Sequence, residues 1–456
     1  MQRHLPLAVV GAFLVSLSWL VVPAAGHAGS LNLSAEPSPI PRWVYAMSGG
    51  GVVAFSFLLT SLVTETDLVH VFRGRSTVIS RTGWRFGQLT LRVVGILGLF
   101  GVLVVGFVGP TEALTNLAVL LVWVGWWAGY TMSTYLLGNS WPLLNPWRTI
   151  ARFLPSLDRR YPDSLGAWPA VVGLLVLVFV EVVSPLADSP RQLSIVVLGY
   201  TVITLIGAML YGRTWFESVD PVSRVFRYYG QIAPLNSADG RLRLSPPTAR
   251  LSTSGFVQDT ADVAFLIGLL WVTTFDGLVS TPLVSDFISG VVSTGLPPLV
   301  AYAGILGVGY GVFIGVYWAA ARAVRRTADS YVRTAVIARR FAPTLLPIAA
   351  AYHLAHFLGY FIEIVPALGA ALVSPFTGAA RVPVLSVPAW FGGVELLFVI
   401  LGHVLAVWAS HGTAFDLFVG RIQPIRSQYP FVVVMVLYTV TSMWIIAQPI
   451  IDPAFV

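Results

Sequence analysis

Two histidines three residues apart, His353 and His356, lie inside an otherwise apolar run, and Glu363 follows seven residues beyond the second. A later apolar run carries Glu395, then His403 eight residues on, then His411 at its far end. Two more carboxylates interrupt apolar runs: Glu181, and Asp276 within Thr273-Thr274-Phe275-Asp276-Gly277. An ionisable group in hydrocarbon is costly and faces a cavity or a partner. Chemistry is therefore to be sought at these residues.

Three chemistries suit the set. Neutral imidazoles with a carboxylate bind zinc, copper or iron, and three protein ligands leave a position for water. Such water deprotonates near neutral pH and attacks an ester or organophosphate-like substrate. In that reading His353, His356 and His403 are the metal ligands, and Asp276, Glu363 or Glu395 is the base or orients a ligand. Alternatively, a transporter or metal-handling permease uses the same residues as an ion or proton path. A haem-binding electron-transfer subunit would use two histidines from different helices. Against all three stands a plain structural role, in which each histidine hydrogen-bonds a neighbouring backbone and locks helix packing. His411, at a helix end, fits that role best.

The elements that carry these residues are transmembrane helices. Hydrophobic residues make up 56% of the chain and charged ones 10%, against roughly 25% charged in a soluble domain. Apolar stretches of about 20 residues, enough to cross the hydrocarbon core, fall near 43–63, 90–109, 114–137, 168–186, 193–212, 263–282, 299–321, 341–363, 391–410 and 429–449. The expected fold is all-α: a polytopic bundle of about ten spans after an N-terminal signal-like segment. That segment, residues 1–28, has Arg3, an apolar run from Leu5 to Val22 and small residues suited to cleavage. Residues 29–456 then form a single multi-pass membrane domain. Asn32-Leu33-Ser34 is a sequon outside the membrane, and His27, were it the new N-terminus, would suit copper.

Arginine orients the bundle. With the N-terminus outside, connections 64–89, 138–167, 213–262, 322–340 and 411–428 are cytoplasmic and hold 22 arginines, while the outer segments hold three. That asymmetry puts both termini on the extracytoplasmic side of a cell membrane. It also explains the formal charge of +7 without nucleic acid, which is not an expected partner. The expected partners are the lipid bilayer and a small-molecule substrate or ion. The long connection 213–262 contains Arg224-Val225-Phe226-Arg227-Tyr228-Tyr229, read as a solvated loop or a segment lying on the membrane surface.

Depth arguments bring the candidates together. His353 lies about 11 residues into its span and His403 about 12 into its own, near the midplane. Glu363 and Glu395 fall near the outer rim. If these two helices are antiparallel neighbours, three imidazoles meet beneath two carboxylates in a cavity opening outward. The aromatic stretch from Trp123 to Trp147 reads as an interfacial belt with helix-stop prolines. Gly304, Gly307, Gly309, Gly311 and Gly315 read as a helix-packing surface.

Absences narrow the field. The chain has no cysteine and no lysine. Disulfides, thiolate metal sites, a Walker A lysine and a Schiff-base lysine are excluded. There is no G-x-S-x-G elbow and no H-E-x-x-H.

Several phrases resemble a family of bacterial and archaeal polytopic membrane proteins catalogued as fenitrothion hydrolase-like. They are Pro39-Ile40-Pro41-Arg42-Trp43, Asn145-Pro146-Trp147-Arg148, Thr274-Phe275-Asp276-Gly277, Ala355-His356-Phe357, Gly402-His403-Val404 with His411, and Arg426-Ser427-Gln428-Tyr429-Pro430. The resemblance spans nearly the whole chain and implies hydrolysis of an organophosphate triester. It carries over Asp276, His356, His403 and His411 as site positions, and not His353.

Overall fold

The structure is a computed structural model that describes residues 42–63, 77–79, 84–157, 159–238, 241–251, 255–379, 381–388, 390–449, 451 and 453–455. The signal-like segment, the sequon and His4, His27 and His70 lie outside the described residues. The fold is an all-α polytopic bundle. Its helices are α1 (Arg42–Ser61), α2 (Trp84–Val108), α3 (Leu117–Leu136), α4 (Trp168–Val182), α5 (Pro190–Tyr211), α6 (Pro221–Tyr229) and α7 (Thr260–Val279). Then come α8 (Pro282–Ser293), α9 (Pro298–Thr327), α10 (Thr334–Phe341), α11 (Leu346–Val373), α12 (Phe391–Leu417) and α13 (Ile422–Ile446).

Among the described residues, α2, α3, α5, α7, α9, α10 with α11, α12 and α13 give eight stretches long and apolar enough to cross a membrane. The two other expected spans coincide with the shorter apolar helices α1 and α4. The protein is therefore a multi-pass membrane protein. Lipid-facing sides are apolar: Leu89, Val93, Leu97, Phe100, Val104 and Phe107 make an exposed stripe down α2, spaced as one face of a helix.

Local chemistry sets the helix ends. Asn116 accepts from the Ala118 amide at 2.8 Å to start α3, while its amide group donates to Pro110 O at 2.5 Å. Ser189 caps α5 ahead of Pro190, whose missing N–H costs nothing at a first turn. Within α3 the turns widen to a π-helix from Leu121 to Tyr130, which redirects the tryptophans on either side of it.

Five connections meet at one end of the bundle, and they are the arginine-rich ones. A small antiparallel sheet, β1 (Thr77–Ile79), β3 (Arg241–Leu244) and β2 (Leu235–Ala238), joins the first to the third. Leu235 N donates to Leu137 O, tying in the second. Arg339 donates to Gln258 O at 2.7 Å, and Gln423 to Ala328 O at 2.8 Å.

Three expectations are corrected here. Residues 221–229 are neither a solvated loop nor a surface segment. They form the buried helix α6, with Phe226 and Tyr228 essentially inaccessible, wedged against α3, α4 and α11. Once Asp220 caps the helix and Asp262 neutralises Arg224, its aromatic residues can enter the core. Second, Trp141 and Trp147 do not form a lipid belt. They are buried: Trp141 packs against Trp126, Tyr130 and Phe226, Trp147 packs against Trp141 and Tyr200, and the Trp147 indole donates to Thr201 Oγ1 at 2.9 Å. Third, Gly304, Gly307, Gly311 and Gly315 are exposed, with nothing near where a side chain would sit. Only Gly309 meets a neighbour, the Trp271 ring.

Candidate functional site: a carboxylate–imidazole pair between two spans

α7 and α11 approach closely because Gly277 carries no side chain. A Cβ there would lie 2.9 Å from Ile445 Cγ2 and 3.0 Å from Tyr352 Oη. One residue earlier on α7, Asp276 faces the middle of α11. Its Oδ2 stands 3.5 Å from His356 Nε2. That separation suits an ion pair rather than a hydrogen bond, so the attraction switches on when His356 is protonated. Tyr352 stacks on the His356 ring, nearly parallel, with centroids 6.0 Å apart. Glu181, in the last turn of α4, is within electrostatic reach of Asp276. All three ionisable groups are half-buried. Asp276 stands 16 residues into α7, or ~24 Å from the arginine-rich end. The site therefore lies toward the opposite end of the bundle.

The other sequence candidates go elsewhere. His353 is 1% exposed and turns toward α3. Its Nδ1 pairs with Tyr135 Oη at 3.0 Å, and its ring packs edge-on against Trp127 and close to Phe357. His403 is 2% exposed, and its Nδ1–H donates to Val399 O at 2.8 Å. That bond fixes the tautomer and leaves Nε2 as a bare acceptor that meets no donor among the described residues. Glu395 sits across the α11–α12 contact, its Oε1 2.9 Å from where a Cβ on Gly359 would lie. Glu363 accepts from the Val387 amide at 3.2 Å, and its own carbonyl accepts from the Leu385 amide. It thus holds the connection between α11 and α12. His411 donates from Nε2 to Val63 O at 2.8 Å and accepts at Nδ1 from Gln428 at 3.2 Å, fastening α1, α12 and α13 together.

α11 and α12 are antiparallel neighbours, as the matched depths suggested: Gly402 meets Ala351 and Pro347, and Gly359 meets Glu395 and Phe391. The three imidazoles nevertheless do not converge. Among the described residues no three His, Asp or Glu side chains gather closely enough to hold a metal. Among the described residues His353, His356 and His403 instead contact different partners.

Sequence reading missed Tyr352 as the ring beside His356, although the Tyr352–His356 spacing of four is the signal for it. It also missed a polar network at the arginine-rich end. There Asp220 accepts from Tyr200 Oη, from Ser223 Oγ at 2.5 Å and from the Val222 amide. Burial raises the Asp220 carboxyl above its ordinary value, and the hydrogen bonds from Ser223 and Tyr200 pull it back down. No family model, curated protein or solved structure matches the chain.

Proposed function

We propose that this is a proton-coupled transporter of the cell membrane, with both termini extracytoplasmic, in which Asp276, His356 and Glu181 take up and release the proton. The observation that carries the reading is the 3.5 Å approach of Asp276 and His356 from different spans, with Glu181 within electrostatic reach of Asp276. A carboxylate–imidazole pair attracts when the imidazole is charged and relaxes when it is neutral. Protonation therefore changes the force between α7 and α11, which is how a proton could bias helix packing in a cycle. The substrate is a small molecule or ion.

The test is electrical recording from proteoliposomes against a panel of small organic anions, cations and metal ions. A proton-coupled current that Asp276→Asn and His356→Ala abolish supports the reading. Currents that survive both substitutions reject it. Because the chain has no cysteine, single cysteines report sidedness cleanly. Ser293→Cys should react from outside intact cells, and Leu157→Cys only after permeabilisation.

A second reading has a specific observation behind it. The same pair has the arrangement of a general base oriented by a carboxylate, and the resemblance noted in the sequence points to hydrolysis. Turnover of a chromogenic ester or phosphotriester that depends on His356, without any current, would favour it.

A further inference from the structure

At the arginine-rich end, away from the Asp276–His356 pair, the short helices of 141–150, the turn at 159–167, residues 213–227 and the start of α7 enclose a cavity of about 850 Å³. Six arginines line it: Arg148, Arg159, Arg160, Arg213, Arg224 and Arg227. Three are paired with carboxylates. Arg224 holds Asp262 with both terminal nitrogens, Arg213 meets Glu217 at 2.5 Å, and Arg160 meets Asp163 at 2.6 Å. Arg227 donates to two carbonyls, at 3.4 Å each, and lies over the Tyr228 ring, with no carboxylate partner among the described residues. The guanidinium groups of Arg148 and Arg159 form no hydrogen bond or ion pair among the described residues.

Arginines that merely mark topology would point into water. Arg148 instead is half-buried in the cavity wall. Burial first, and then the charge of Arg213, work against its cation, while Glu217 partly offsets them. Four carboxylates, Asp163, Glu217, Asp259 and Asp262, line the same cavity, so the six arginines leave an excess of positive charge that a bound anion would offset. The floor adds neutral donors and an aromatic face, from Asn139, Asn145 and Trp141. Asn145 and Trp141 both donate to Ser223 Oγ at 3.2 Å, which keeps that floor ordered. The volume falls within the range of small-molecule sites and exceeds what a lone phosphate fills.

We propose that this cavity binds a phosphate-bearing anion, its oxygens held by Arg148, Arg213 and Arg227 and its organic portion against Trp141 and Phe216. Arginine's planar fork suits phosphoryl oxygens. Both a soluble phosphate ester and the headgroup of an anionic lipid present that chemistry, and one experiment separates them.

Full-length protein is purified in detergent from vesicles of phosphatidylethanolamine and phosphatidylglycerol. Calorimetry with inorganic pyrophosphate is run beside native mass spectrometry for retained lipid. The variants are Arg148→Gln, Arg227→Gln and, as a control on the same end but outside the cavity, Arg326→Gln. Pyrophosphate binding that weakens about tenfold or more in each cavity variant, and not in Arg326→Gln, assigns a soluble phosphate compound. Retained phosphatidylglycerol lost in the cavity variants alone assigns the lipid headgroup. Arg148→Lys, which keeps the charge but not the fork, should retain part of the affinity in either case. Absence of both signals in wild type, or signals indifferent to Arg148→Gln and Arg227→Gln, overturns the proposal.

Discussion

The ion pair between Arg224 and Asp262 walls that cavity and is the most completely buried charge pair described, with side chains 6% and 5% exposed. Asp262 Oδ1 accepts from both terminal Arg224 nitrogens, at 3.1 and 2.7 Å, and from Tyr228 Oη at 2.7 Å. Its Oδ2 accepts from the Gln258 amide at 2.7 Å. Replacing Asp262 with leucine strands a buried guanidinium, which costs ~3–5 kcal/mol. Replacing Arg224 with methionine as well removes that stranded charge. What remains is the loss of two acceptor contacts, to Tyr228 and Gln258, each worth ~1 kcal/mol. The double variant Arg224→Met/Asp262→Leu should therefore lie only ~2 kcal/mol below wild type and be more stable than Asp262→Leu alone. Unfolding by increasing SDS in mixed micelles, followed by tryptophan fluorescence, reads each free energy. An Asp262→Leu cost under ~1 kcal/mol, or a double variant that loses the sum of the two single losses, would contradict a stranded buried charge.

Further predictions concern other contacts. Gly277→Ala would force Tyr352 and Ile445 aside; it should cost ~1–3 kcal/mol and lower transport more than it lowers yield. His411→Phe removes the donor to Val63 O and the acceptor for Gln428. It should destabilise by ~1–3 kcal/mol while activity per folded molecule stays unchanged; a selective loss of activity would restore the site position that the sequence resemblance implies. For Asp220 the sign is set by burial, which raises its folded value above the unfolded one. Its contribution is then fully present below the unfolded value, ~3.9, and is lost as pH rises through the raised folded value. An unfolding scan should show wild type losing stability relative to Asp220→Asn across that window. Parallel curves would contradict it.

Much of the fold follows from local sequence. Long apolar runs with sparse charge must become helices in lipid, because an unpaired backbone has no water to turn to. The structure starts α3, α5 and α7 at the capping residues Asn116, Ser189 and Asp259, whose side-chain oxygens act within three residues. The arginine pattern singled out the connections that share one end of the bundle, and the depths of His353 and His403 suggested that α11 and α12 are neighbours.

What residue order could not supply is azimuth. Each residue turns a helix by ~100°, so two side chains at one depth meet only if both helices present the right face. α12 presents Glu395 and Gly402 to α11, and α11 presents Ala351 and Gly359 in return. His353 and His356 thereby turn to different neighbours, one to Tyr135 and the other to Asp276. The sequence alone determined a membrane bundle, its arginine-rich end and the short roll of polar residues within it. Only tertiary packing, through the close approach that Gly277 permits, decided that Asp276 and His356 form the pair, because that contact depends on the rotation of two helices that no local rule sets.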